Sequence, residues 1–141
     1  MWHRLDRAII VLLLVVHAGL LLWALAGLAE MLSPGIVWPD VSNPLFTPLV
    51  LLMQWAAVLL GASTFLIGFA VRWKRLPQAV AVCYAIMASV CAYETFAILR
   101  HDSRFAEMAL EYATYVAITV YLFLSPAVQR RLGLGSANTS M

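Results

Sequence analysis

Two glutamates set in otherwise apolar sequence, Glu94 and Glu111, are the residues best placed to do chemistry. An ionisable side chain in such a setting is costly to keep and points by default to a function. A short polar turn near Asp102 and Ser103 separates them. Folding the chain back at that turn sets Glu94 level with Glu111 and Tyr93 level with Tyr112, each about 8–9 Å in along a helix. Two carboxylates held close repel, so one keeps its proton or the two hold a cation between them. Pairing with Arg100 or Arg104 is a second way to settle the charge, and a water-facing position among lipid headgroups is the bland alternative. Glu30 and His101 belong to the same end. The candidate outer polar pocket is therefore Glu30, Tyr93, Glu94, His101, Arg104, Glu111 and Tyr112. Of the 7 acidic residues, all but Asp6 fall in this half.

Other candidates are weaker. His17 lies about 15 Å in from Arg7, near the middle of a bilayer. A neutral imidazole there suits haem ligation or proton relay. No second histidine lies within an apolar stretch to complete a haem site, so the expected role is a hydrogen bond to a neighbouring helix, at Gln54. Cys83, Met87 and Cys91 recur every four residues. Such soft ligands suit Cu(I), although sulfur side chains at helical spacing more often fill a core. The cysteines are about 12 Å apart on one helix, beyond disulfide reach. The sequence contains no CxxC, HExxH, glycine-rich phosphate loop or Ser–His–Asp spacing, and no cofactor is implied.

The elements that must position these residues are four apolar stretches, 8–32, 45–71, 79–99 and 106–124. Each approaches or exceeds the ~20 residues that cross a hydrocarbon core of ~30 Å. Hydrophobic residues make up 64% of the chain and charged residues 11%, against roughly 45–50% and about 25% in soluble domains. Mean hydropathy is +0.90. Segments inside lipid must satisfy their own backbone hydrogen bonds, so they are helices. The expected fold is all-α: a polytopic membrane protein forming a four-transmembrane-helix bundle over residues 1–131, with a disordered cytoplasmic tail at 132–141. Thr47-Pro48 makes a good helix start. Ser33 to Pro44, with three prolines and a glycine, reads as a kinked loop, and Arg72 to Pro77 as a tight basic turn. An alternative treats Arg4, Arg7 and the run to Ala24-Leu25-Ala26-Gly27 as a cleaved signal peptide, although the apolar run continues to Leu32.

Helices in lipid associate through small residues and buried polar contacts. Gln54, Ala57, Gly61, Thr64 and Gly68 share one face of the second stretch, a packing seam for this bundle or for a second copy. Glu111, Thr114 or Tyr115, and Ile118 or Thr119 share one face of the fourth and most polar stretch, which should turn inward or toward a partner.

Seven of the 9 basic residues (Arg4, Arg7, Arg72, Lys74, Arg75, Arg130 and Arg131) lie at one end, and only Arg100 and Arg104 at the other. The excess of positive charge marks the cytoplasmic side. That places both termini inside and the protein in a cell membrane, the inner one. Trp2, Trp38 and Trp73 fall near the two interfaces. In size and layout the chain resembles small bacterial four-span proteins such as the DoxX-like group. The implied partners are the lipid bilayer and another membrane protein or second copy; nothing suggests nucleic acid. Three functions follow: a non-enzymatic accessory or scaffold subunit, a proton- or cation-coupled transporter using Glu94 and Glu111, or a redox protein binding quinone, haem or copper.

Overall fold

A computed structural model describes residues 2–33 and 45–134, with the side chains of the first helix from Leu5 onward. Trp38, Asp40 and the tail beyond Leu134 lie outside the described residues, as does the side chain of Trp2. The described chain is all-helical. Its elements are α1 (Trp2–Leu32), α2 (Pro48–Ala70), α3 (Leu76–Tyr93, extended by a π-helical turn Glu94–Ile98), α4 (Arg104–Leu124) and a short α5 (Pro126–Leu132). Four of these are long and apolar enough to span a membrane: Leu5–Leu32, Pro48–Ala70, Leu76–Ile98 and Arg104–Leu124.

The boundaries have local causes. Thr47 caps α2 by accepting the Val50 N–H, with Pro48 in the first turn. Pro77 likewise sits in the first turn of α3, because a proline there loses no N–H that the helix needs; this span therefore begins before the expected 79. Arg7 does not interrupt α1, since a long basic side chain can lay its stem along apolar surface and keep its head in water. Between α2 and α3, Arg72 takes up a left-handed backbone (φ 55°). The Trp73 N–H then bonds to the Gly68 carbonyl at 2.8 Å and the Arg72 N–H to that of Phe69 at 3.4 Å, the paired closure that satisfies a helix end.

Packing is organised around α2. On one side it meets α1, where the Trp55 indole, 1% exposed, lies against Gly27 and edge-on to Trp23 at 4.8 Å. Ala24 and Gly27, part of the segment weighed as a cleavage site, are thus buried inside the bundle. On the other side, the seam of small residues admits α3. Gly61 faces Met87, Gly68 faces Leu76, and Thr64 accepts a weak hydrogen bond from the Cys83 thiol at 3.6 Å. Of the two partners weighed for this seam, its Gly61–Thr64–Gly68 stretch is occupied from within the chain.

α4 is held differently. It stacks beside α3, yet Leu122 is the only residue of its 21 that is fully buried. Near the basic end Tyr121 donates to the Asp6 backbone carbonyl at 3.3 Å, tying α4 to α1. α5, which the sequence reading left within the end of the bundle and the start of the tail, then turns back beneath it. Ser125 caps α5, Val128 and Leu132 are buried, and Arg131 lies over the Phe69 ring. α5 ends in a cap: Gly133 adopts the left-handed conformation (φ 71°) and the Leu134 N–H returns to the Gln129 carbonyl.

The outer surface of the helices is apolar, with Leu12, Val15, Leu22, Ile67, Val82 and Val116 among its exposed side chains. A patch of this kind is foreign to water-soluble monomers and natural against lipid.

The two glycine environments on α1 generate a paired expectation. A Cβ at Gly27 would overlap the Trp55 indole, whereas one at Gly19 meets nothing within 4 Å. Gly27→Ala should destabilise the protein by about 1–3 kcal/mol, the usual range for overpacking. Gly19→Ala should be neutral or stabilising by up to about 1 kcal/mol through helix propensity. Thermal unfolding of both variants in the same detergent tests this; equal stability of the two would show that α1 does not pack on Trp55.

Candidate functional site

The close approach of α2 to both neighbours, and the looser hold on α4, leave a cavity of about 480 Å³ walled by all four long helices. Val16, Leu20 and Trp23 of α1 line one wall, and Leu110, Glu111, Thr114 and Tyr115 of α4 the opposite one. α3 contributes Met87, Cys91 and Glu94, and α2 contributes Gln54. The structure therefore brings the two glutamates onto one cavity. The π-helical turn begins at Glu94, whose carbonyl accepts from Leu99 at 2.9 Å. Such wide turns often occur at functional positions.

The polar groups of this cavity are unequally satisfied. The Tyr115 hydroxyl, one helical turn beyond Glu111, donates to the Glu111 carboxylate. One carboxylate oxygen of Glu94 and the amide oxygen of Gln54 are buried with no hydrogen-bond partner. Buried polar atoms are nearly always bonded, so two unpartnered acceptors on residues lining one cavity are a local deficit that a proton or a cation would relieve. Neither arginine relieves it. Arg100 is exposed and donates to the Ala97 carbonyl at 3.5 Å; Arg104 donates to the His101 carbonyl at 3.2 Å and lies over Phe105.

The remaining members of the expected pocket are dispersed. Tyr93 is 54% exposed and Tyr112 donates to the Ala88 carbonyl at 2.6 Å, on a different groove between α3 and α4. Their level positions in the hairpin do not put them on the face that carries the glutamates. His101 belongs to an exposed cluster with Ser103 and Glu107, and Glu107 also reaches the cavity rim. Glu30 lies partly buried near the end of α1, away from the cavity lining. The sulfur stripe is divided: Cys83 bonds Thr64, whereas Met87, seated over Gly61, and Cys91 line the cavity. Among the described residues no three His, Cys, Asp or Glu side chains converge as a metal site requires.

His17, on α1, is 0% exposed. Its ring stacks on Phe65 of α2 at 3.9 Å. Nδ1 lies 2.7 Å from the Leu13 carbonyl, which can only accept, so Nδ1 carries the hydrogen. In the neutral ring Nε2 then accepts from the Tyr84 hydroxyl at 2.8 Å. The expected partner, Gln54, is replaced by Tyr84 because a tyrosine on α3 is long enough to pass beside α2, while Gln54 faces the cavity. Tyr84 in turn stacks on Tyr115 at 4.7 Å. A polar series thus runs from the buried His17 through two stacked tyrosines to Glu111. Glu111 and Tyr115 were foreseeable as neighbours at i, i+4; Tyr84 had no pattern to announce it.

With this geometry in view, the chain was compared with known proteins: no family model, curated protein or solved structure matches it. The reading of the site rests on its own residues.

The His17–Tyr84 contact makes a specific demand. Tyr84→Phe removes the donor and strands the imidazole Nε2, which should destabilise the fold by about 1–3 kcal/mol. His17→Leu combined with Tyr84→Phe should recover part of that loss, since no orphaned polar atom remains. A double-mutant cycle of detergent unfolding checks it, and strictly additive effects would show that the two side chains do not interact.

Proposed function

We propose that this chain is a small membrane transporter coupled to a proton or a monovalent cation, with Glu94 and Glu111 as the coupling groups. The observation that carries this reading is the buried, unpartnered Glu94 oxygen on a cavity shared with Glu111. Glu111 is steadied by Tyr115 and Glu94 is free to respond. One carboxylate is therefore held in place, while the other has an acceptor to offer a proton or cation. Gln54 adds a neutral oxygen from α2, and oxygen donors of this kind suit a hard cation. We place both termini in the cytoplasm of a cell carrying the protein in its inner membrane, a placement supported by seven of 9 basic residues at that end. The cavity then belongs to the outer half.

A second reading, the non-enzymatic accessory or scaffold subunit, is favoured by α4. A span with a single buried residue leaves most of its surface free to pack against another membrane protein, and such packing holds helices together in lipid. Purification in a mild detergent separates the readings: a stoichiometric partner retained on α4 supports this one.

The transport reading is tested in vesicles containing the purified protein alone. Glu94→Gln and Glu111→Gln should each reduce proton- or cation-linked flux to the level of empty vesicles. Tyr93→Phe, at the exposed position off the cavity, should leave it unchanged. Flux that persists undiminished in both glutamine variants would remove the proposal.

A further inference from the structure

The basic end of the bundle holds a second cavity, remote from the glutamates. Its volume is about 430 Å³, and it lies where α1, α2 and α5 meet, with Arg7 and Arg131 on its walls. Both arginines are exposed. Arg131 is held over the Phe69 ring, 4.3 Å from its centroid, a cation–π contact that orients the guanidinium. The contact of His101 with Glu107, an ion pair only when the imidazole is protonated, is at the opposite end of the molecule. Asp6 also borders the cavity, but its carboxylate and carbonyl face the Tyr121 hydroxyl at 3.5 and 3.3 Å. That hydrogen bond leaves the aspartate charge in place, but two arginines against one aspartate still give the cavity a net positive charge.

This polar mouth opens onto an apolar track. A shallow groove of about 550 Å³ along α1 shares Arg7 and Val11 with the cavity and continues to Val15. Eight residues of helix separate Arg7 from Val15, about 12 Å, which covers most of one leaflet of a ~30 Å hydrocarbon core. An anion beside two arginines, followed at once by an apolar chain running into the membrane, matches the chemistry of one kind of molecule. We infer that the junction of α1 and α5 binds an anionic phospholipid. Its phosphate and headgroup lie between Arg7 and Arg131, and an acyl chain follows Val11 and Val15. A free phosphate would leave the groove uncovered. A choline headgroup would bring its own cation to a site that is already positive.

The wild-type protein, exchanged into detergent with equal amounts of phosphatidylglycerol and phosphatidylcholine, is examined by native mass spectrometry. One phosphatidylglycerol should be retained in preference to phosphatidylcholine by about tenfold or more, as expected for two arginines near an anionic headgroup. Arg7→Gln with Arg131→Gln should abolish that preference, whereas Arg100→Gln, at the far end, should preserve it. Excess inorganic phosphate should fail to displace the lipid. Equal retention of the two lipids by the wild type overturns the inference even if the double variant does not fold. So does an Arg100→Gln effect as large as that of the double variant, which would reduce the preference to net charge. Displacement by phosphate would also overturn it, because the apolar groove would then play no part.

Discussion

Everything in this bundle depends on how closely two helices approach α2. In lipid, hiding apolar surface against another helix gains little, because the hydrocarbon chains already solvate it; association comes from tight packing and buried polar contacts. Gly27 makes room for Trp55 on one side, and Gly61 and Gly68 admit Met87 and Leu76 on the other. These are positions where a methyl group would press on its neighbour. α2 is thus clamped between α1 and α3, and these three helices form the most closely packed part of the molecule.

α4 lacks an equivalent clamp, and the cavity is the consequence. It leans on α3 through tyrosines rather than through glycine contacts: Tyr112 reaches the Ala88 carbonyl and Tyr115 stacks on Tyr84. Rings of that size hold the backbones apart and leave space on the side toward α1. Toward the basic end, Tyr121, Leu122 and α5 close the gap; toward the acidic end none of the described residues does the same, and the glutamates line what remains. One difference in side-chain size between the α2–α3 and α3–α4 contacts therefore leaves, among the described residues, a filled basic end and a cavity toward the acidic one.

The fold was legible in the sequence because the length and apolarity of a span are one-dimensional properties. So was the seam at Gly61, Thr64 and Gly68, since small residues at steps of three and four share a face whatever they meet. The pairing of Glu94 with Glu111 followed from the short turn alone, which fixes depth in a hairpin. Depth does not fix azimuth, however, and that is why Tyr93 and Tyr112 left the pocket while their neighbours stayed. The partner of His17 was hidden for a related reason. Tyr84 is 67 residues away, and the contact depends on how three helices rotate together. The short α5 was obscured by its length: seven residues with two arginines carry too little periodicity to stand out from a polar tail.

His17 marks where the two halves of the molecule meet. Toward the basic end the interior is filled by Leu13, Phe65, Phe69, Leu76 and Val80, and it has no use for a charge. On the other side are Glu111, Gln54 and Glu94, with acceptors to spare. An imidazole at that boundary satisfies both its nitrogens inside the protein, so it can be fully buried without the penalty of an unpaired polar group. By taking the hydroxyl of Tyr84 it also fixes the ring on which Tyr115 stacks, and Tyr115 in turn holds Glu111. The orientation of one carboxylate in the open half is thereby set from the dry half, through contacts that need no water. This is the arrangement expected if Glu111 is the fixed member of the pair and Glu94 the one that changes state.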